Sequence, residues 1–575
     1  MKLKSLIQFV FVNLILIISL QGCGGKEMKD SADLVLINGV IATMDDSSPS
    51  AEAIAIKGNK ILFVGSTEDA EMYIGDSTEV IDLKGKFVMP GFIESHAHFL
   101  GLGKSKQMLD LREARNWDEV IAIVARACES VRPGDWILGG GWHQEKFDPA
   151  PYPNVHGYPV HNELSKASPN NPVMLSHASG HAIFVNERAM KLAGVSKATV
   201  DPDGGTIVRD STGTPIGVFE ENAENIVGKF YEEYFNGRKP EEIRQDYIDQ
   251  IRLASEESLR KGITSFHDAG ETFELIDLIK EQADSNKLQI RLNIMIGDTY
   301  DKMKEKIAGY RLIGYANNFL TVRSIKQYID GALGSRGAWM IEPYSDLPTH
   351  SGSNVTSIET LKKISALAVA NGFQMRIHAI GDLGNREVLS VYEEVFNKNS
   401  DKKDLRWSIE HAQHLSANDI PRFAKLGVTA AMQAIHCTSD ATFVPERIGE
   451  ARAEEGAYVW KKLIESGAII CNGTDAPVED VNPISCFYSS VTRRLADRNA
   501  FYPGQKMSRM EALRSYTVNG AYASFEENIK GSLKTGMLAD VVVLSNDLLT
   551  CPEDEIPSTK VLYTIVAGKI LFQHN

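Results

Sequence analysis

The stretch Phe92-Ile93-Glu94-Ser95-His96-Ala97-His98-Phe99, reached through Met89-Pro90-Gly91, decides the fold. Successive side chains of a β-strand point to opposite faces, so His96 and His98 share one side and can approach one ion together. Two neutral imidazoles suit zinc or another borderline divalent metal. A His-X-His pair alone is modest support for a metal site. Its weight depends on whether further ligand-type residues end later strands.

From about Lys86 to about Lys530, short apolar strands alternate with amphipathic helical stretches such as 251–260, 361–371 and 459–466. Strand candidates end near His98, Asp268, Ile294, Lys326, His378, His411, Gln433 and Asp475. Eight parallel strands separated by helices close into a (β/α)8 TIM barrel, an α/β fold without free edges. The gap between the first two strands, roughly 100–255, is too long for one crossover. It holds Pro172-Val-Met-Leu-Ser176 followed by His177-Ala-Ser-Gly-His181, and reads as a subdomain inserted over the catalytic mouth, where barrel loops vary.

Both ends of the chain have strand character. Leu34-Val-Leu-Ile37, Asn38-Gly39 and Val40-Ile-Ala42 form a strong hairpin signal, and a second pair follows at 53–56 and 61–64. Residues 539–544, 561–566 and 570–572 read as strands again. These segments predict one small β domain built from 33–85 and 531–575, flanking a barrel of 86–530.

Further ligand-type residues sit at the predicted strand ends. Lys326 follows Ser324-Ile325. An unpaired ammonium inside a barrel is costly, so Lys326 either forms a salt bridge at the mouth or has captured carbon dioxide as a carbamate able to bridge two metals. His378 follows Gln374-Met-Arg-Ile377, and His411 follows Arg406-Trp-Ser-Ile-Glu410. A lone strand-end histidine is usually structural; two in one barrel with His96 and His98 read as ligands. Glu410 either orients a ligand or packs. Asp475, in Asn472-Gly473-Thr474-Asp475-Ala476-Pro477, can bind a metal with one oxygen and accept a proton from water with the other; in isolation it reads as a turn residue. Gln433 either contacts substrate or caps a turn.

The 575 residues are 43% hydrophobic and 24% charged, with a formal charge of -15, which argues against a nucleic-acid partner. Six scattered cysteines form no zinc-like pairs. Met1-Lys-Leu-Lys4, an apolar run to Leu20 and then Leu20-Gln21-Gly22-Cys23 fit a signal peptide of residues 1–22. The cysteine resembles that of the bacterial lipobox, which implies acylation of Cys23, a tether of 23–32 and a lipid anchor in the cell envelope. By the same resemblance, Gly24 rather than Asp after the cysteine implies the periplasmic face of the outer membrane in a two-membrane cell.

At these residues the chain resembles the amidohydrolase superfamily, in the third branch that includes the N-substituted formamide deformylases, from about Asp33 to the end. Pro90-Gly91 with His96-Ala-His98 looks like the first-strand metal motif. Ile325-Lys326 with Asp330-Gly331-Ala332-Leu333-Gly334-Ser335-Arg336 looks like the fourth-strand segment, whose lysine is expected to be carboxylated. His378-Ala-Ile-Gly-Asp382, Glu410-His411-Ala412 and Gly473-Thr474-Asp475 look like the fifth, sixth and eighth motifs. The resemblance implies one or two divalent ions, zinc by preference, held by His96, His98, Lys326, His378, His411 and Asp475. Asp475 is the implied proton acceptor, and the target is the C–N bond of a small-molecule amide, formamide or cyclic amide. Within the insertion it implies His181 and Glu220 or Glu221 near the substrate, Glu220 being an alternative to Lys326 as ligand. His267 departs from the family's pattern before Asp268 and reads as a packed residue or one that supports a ligand from behind, not as a ligand itself. An ester or phosphoester hydrolase, or a ligand-binding lipoprotein that has lost catalysis, are the competing readings; a homo-oligomer is left open.

Overall fold

Eight parallel strands form the centre of the chain in the computed structural model, which describes residues 31–178, 182–202 and 204–574. They are β1 (Phe92–Ala97), β2 (Ile263–Glu271), β3 (Arg291–Ile296), β4 (Leu320–Tyr328), β5 (Gln374–Ala379), β6 (Ser408–His411), β7 (Thr429–Met432) and β8 (Ile470–Asn472). Each pairs in parallel with the next. The strands are buried almost throughout because helices cover their outer faces, which is why they read as continuous apolar runs.

The barrel is closed by a turn. β1 and β8 share no ladder; instead Asp475 N–H donates to the His96 carbonyl (2.8 Å) and His98 N–H donates to that of Ala476 (2.7 Å). The buried Glu94 carboxyl accepts from Thr474 N–H at 2.8 Å and from the Thr474 hydroxyl at 3.0 Å. The result is a nearly closed (β/α)8 barrel.

The long first crossover carries a mixed sheet in the order Gly205–Arg209, Pro215–Glu221, Ala182–Val185, Val173–His177, Ile137–Trp142, Leu109–Asp110. It has its own core around Trp117, Trp142, Leu175 and Phe184. The helix Pro240–Arg260 that ends this crossover belongs to the barrel: it buries Ile251, Ala254 and Leu259 and packs on the helix Phe99–Gln107. Among the described residues, no helix is long and apolar enough to cross a membrane.

The termini build two small sheets. One runs Lys569–Gln573, Val561–Val566, Val541–Leu544, Phe87–Pro90, Val40–Ala42, Ser50–Ala51; the other runs Lys60–Gly65, Ala53–Lys57, Leu34–Ile37, Glu79–Asp82. The strand Phe87–Pro90, expected in the barrel from a boundary at 86, lies in the first of these sheets, antiparallel to Val541–Leu544. Its alternation explains the placement: Val88 enters the core between the terminal sheets, while Phe87 and Met89 face the barrel core. Beneath the barrel, Arg291 holds Asp540 with two hydrogen bonds of 2.6 and 2.9 Å, both side chains buried.

The seam leaves no room at Gly473, where a Cβ would lie 2.3 Å from Glu94 Oε1 and 2.6 Å from His96 N. Gly473→Ala is expected to lower the unfolding free energy by roughly 1–3 kcal/mol. Gly228, inside the helix Asn225–Asn236 with open space around it, is the control: Gly228→Ala should raise stability by about 0.5–1 kcal/mol. Denaturant melts of the two variants check both signs.

Candidate metal centre

Period-two alternation in β1 sends Glu94 and His96 inward, and His98 follows as the N-cap of the helix Phe99–Gln107. Among the described residues, His96, His411 and Asp475 each bring one ligand-type atom within 4.8 Å of the others, and all three are buried. Asp475 Oδ1 stands 3.5 Å from His96 Nε2 and 3.4 Å from His98 Nε2. Lys326 Nζ lies 3.4 Å from His96 Nε2. The His378 ring packs against His411 with centroids 4.5 Å apart. The residues that end β1, β4, β5, β6 and the turn after β8 thus meet at one place, the C-terminal mouth of the barrel.

Partners on the far side of each ring set the imidazole tautomers. His96 Nδ1 pairs with the buried Glu410 carboxylate, so Nε2 carries the free lone pair toward Asp475. His411 Nδ1 donates to Gln433 Oε1 at 2.7 Å, which leaves its Nε2 for the centre. Gln433 is held at its other end as well, its amide donating to the Ala431 carbonyl at 3.0 Å. Its side chain therefore orients His411. Asp330 ties the loops after β4 and β5, accepting from the Ile380, Gly381 and Trp339 amides, and its Oδ1 stands 3.7 Å from His378 Nε2.

The electrostatics favour a cation. Burial alone would raise Glu410, but His96, Arg376 and Lys326 hold it at about 2. Burial likewise opposes ionisation of Asp475, yet the imidazoles of His96 and His98 keep its pKa well below the usual carboxylate range. Burial drives His411 far below its ordinary range and His378 down to about 3, with neighbouring positive charges adding to the effect. Neutral His378 and His411 beside an ionised Asp475 are the protonation states that divalent ions require. At His96 burial and the Lys326 charge oppose protonation, but the Glu410 and Asp475 carboxylates raise the ring above its ordinary range. Two imidazole nitrogens and a carboxylate oxygen, with tautomers already set, fit one or two divalent ions. Three non-glycine residues here, His411 (φ 74°), Ala412 (φ 43°) and Asp475 (φ 58°), sit in the left-handed region and carry backbone strain.

Glu220 accepts from the Tyr158 hydroxyl at 3.0 Å, and with Glu221 it lines a cavity of about 560 Å³ bounded by the insertion's own residues. His181 and Cys23 lie outside the described residues. His267 points into the barrel below the ligand cluster, fully buried, with neither ring nitrogen hydrogen-bonded among the described residues; burial, then the Arg376, Lys530 and His96 charges, keep it neutral. Sequence reasoning missed His436, on the helix Ala434–Ser439, whose Nε2 lies 4.0 Å from Asp475 Oδ2. The signal was there in Gln433-Ala-Ile-His436, one helical turn beyond a strand end.

Comparison with known proteins agrees with this geometry. The chain is 33% identical to "Protein LONG AFTER FAR-RED 3" of Arabidopsis thaliana, covering 94% of this chain and 92% of that protein. It is 27% identical to the N-substituted formamide deformylase of Arthrobacter pascens, over 95% and 99%. The crystal structure of an uncharacterized metal-dependent hydrolase from Pyrococcus horikoshii superposes with a TM-score of 0.72 at 28% identity, covering 91% of this chain and 99% of that one. With a match to the amidohydrolase family across residues 79–572, the chain belongs to that family and is a metal-dependent hydrolase.

Proposed function

We propose that the protein hydrolyses a non-peptide C–N bond of a small amide, N-substituted formamides and cyclic amides being the favoured classes, with zinc as the preferred ion. The observation that carries this reading is the juxtaposition of His96, His411 and Asp475, with Glu410 and Gln433 fixing the two imidazoles. His98, Lys326 and His378 would complete the ligand set. The formamide deformylase among the relatives supports the substrate class. When bound, the ion supplies Lewis-acid chemistry, polarising a carbonyl and acidifying water.

The chain's own residues do the rest. Asp475 rests ionised, so it starts as a base. It takes one proton from water as the O–C bond forms and delivers that proton to the nitrogen as the C–N bond breaks. Burial holds Lys326 down to about 8, so a share of its amine is neutral near neutral pH. A neutral amine can add to carbon dioxide, forming an N–C bond and losing a proton, and the resulting carbamate would turn a buried cation into an anionic ligand. The segment Leu20-Gln21-Gly22-Cys23 supports a lipid-anchored enzyme at the cell envelope, acylated on Cys23.

Hydrolysis of N-alkylformamides and their matched formate esters by the zinc-reconstituted protein tests the reaction class. Amide turnover should stop on chelation and return with zinc; turnover of the esters alone would overturn the amide reading. Asp475→Asn is expected to lower kcat by about 10²–10⁴-fold. Gln433→Leu should weaken metal affinity by about 10–100-fold, read by competition with a chelating dye. Cys23→Ala should abolish labelling by a fatty-acid analogue and move the protein from the membrane to the soluble fraction.

A further inference from the structure

His436 stands on a rigid mount. Its helix Ala434–Ser439 starts directly at Gln433, which is bonded to His411, and Ala434 N–H donates to Asn472 Oδ1 at the end of β8 (3.0 Å). The ring lies nearly parallel to that of His411, at 15° with centroids 6.3 Å apart. Its neighbours on the helix and the turn that follows are occupied: Thr438 donates to the Ile435 carbonyl, and Asp440 accepts from the Tyr458 hydroxyl and from Gln413. His436 Nε2 differs. It is buried and makes no hydrogen bond within the described protein.

The direction of that nitrogen is informative. Asp475 turns Oδ1 toward His96 and His98, at 3.5 and 3.4 Å, whereas His436 Nε2 stands 4.0 Å from the other oxygen, Oδ2. One carboxylate oxygen therefore serves the ligand cluster, and the second shares a space with an unengaged imidazole nitrogen. In an amide the carbonyl oxygen and the nitrogen are substituents of one carbon, so two protein atoms this far apart can each face one of them.

We propose, resting on the amide-hydrolase reading above, that His436 is a catalytic residue whose Nε2–H hydrogen-bonds the carbonyl oxygen of the scissile amide while Asp475 Oδ2 faces the leaving nitrogen. The water oxygen bonds to the carbonyl carbon, the C–N bond breaks, and the single transferred proton travels from water to nitrogen on Asp475. His436 keeps its own proton throughout. A fixed donor aimed at an oxygen that gains negative charge acts more strongly on the transition state than on the bound substrate.

The test compares wild type, His436→Ala and His436→Gln, all zinc-reconstituted, on N-alkylformamides. His436→Ala should lose about 10²–10³-fold in kcat with KM little changed and metal content equal to wild type by elemental analysis. His436→Gln, which restores a donor, should recover part of that loss. A second measurement is calorimetric binding of methylphosphonate, a tetrahedral anion, which His436→Ala should weaken strongly while acetate binding stays unchanged. A kcat loss below about threefold, a change confined to KM, or loss of metal from His436→Ala would overturn the proposal. If the wild type hydrolyses no amide, the reaction-class reading fails by itself and methylphosphonate decides the role of His436. Equal affinity in wild type and variant, or no binding to either, would then overturn it.

Discussion

A short set of hydrogen bonds between β1 and the turn after β8 holds both the barrel and its chemistry. The Asp475 amide is bonded to the His96 carbonyl, so two ligand-type residues 379 positions apart are locked through their backbones before any ion joins their side chains. Glu94, one alternation below His96, extends the same seam to Thr474. Burial pushes its carboxyl up to about 7, against the pull of the Thr474 and His96 amides. Barrel closure and ligand spacing are therefore one constraint.

The ligands are in turn governed from behind. Glu410 accepts from His96 and from Ser408, with the Arg376 guanidinium 3.9 Å away. Arg376 continues downward, donating to the Ala523 carbonyl at 3.0 Å in the segment that plugs the barrel floor. The interior below the centre is thus a polar column, where many barrels stack branched apolar side chains. Such a column stabilises only when its members are paired, and the strained backbone at His411 and Asp475 adds a cost on the order of 1–3 kcal/mol per residue. The surrounding barrel, buried on both faces, is what tolerates that cost.

Much of this was legible in the sequence because parallel strands in barrels end at the chemistry. The residues at which candidate strands end, among them His98, Lys326, His378, His411 and Asp475, could be located from apolar runs alone, and the structure gathers them at one mouth. What was not legible depends on side chains that cross between distant segments. Glu94 looked like any strand carboxylate, since its partner Thr474 lies 380 residues away. Gln433 reads as a turn cap or a substrate contact, and its bond to His411 on the neighbouring strand end has no local signature in the sequence. His436 escaped because it sits on a helix, where strand-end reasoning has no purchase. The glutamates of the insertion were placed by likeness rather than by register, and they line a cavity with Tyr158 and Thr206.

The sheet shared by the termini also imposes a timetable on biosynthesis. Phe87–Pro90 leads directly into β1, yet its antiparallel neighbour Val541–Leu544 is made about 450 residues later. At ribosomal rates that interval is roughly 20–90 s. All eight barrel strands emerge while the strand that feeds the first of them is paired only with Val40–Ala42 and still lacks its second neighbour, and with it the Arg291–Asp540 clasp under the floor. The earliest and latest parts of the chain must therefore mature together, and an apolar edge around Val88 has to be shielded from other chains for the whole of that time.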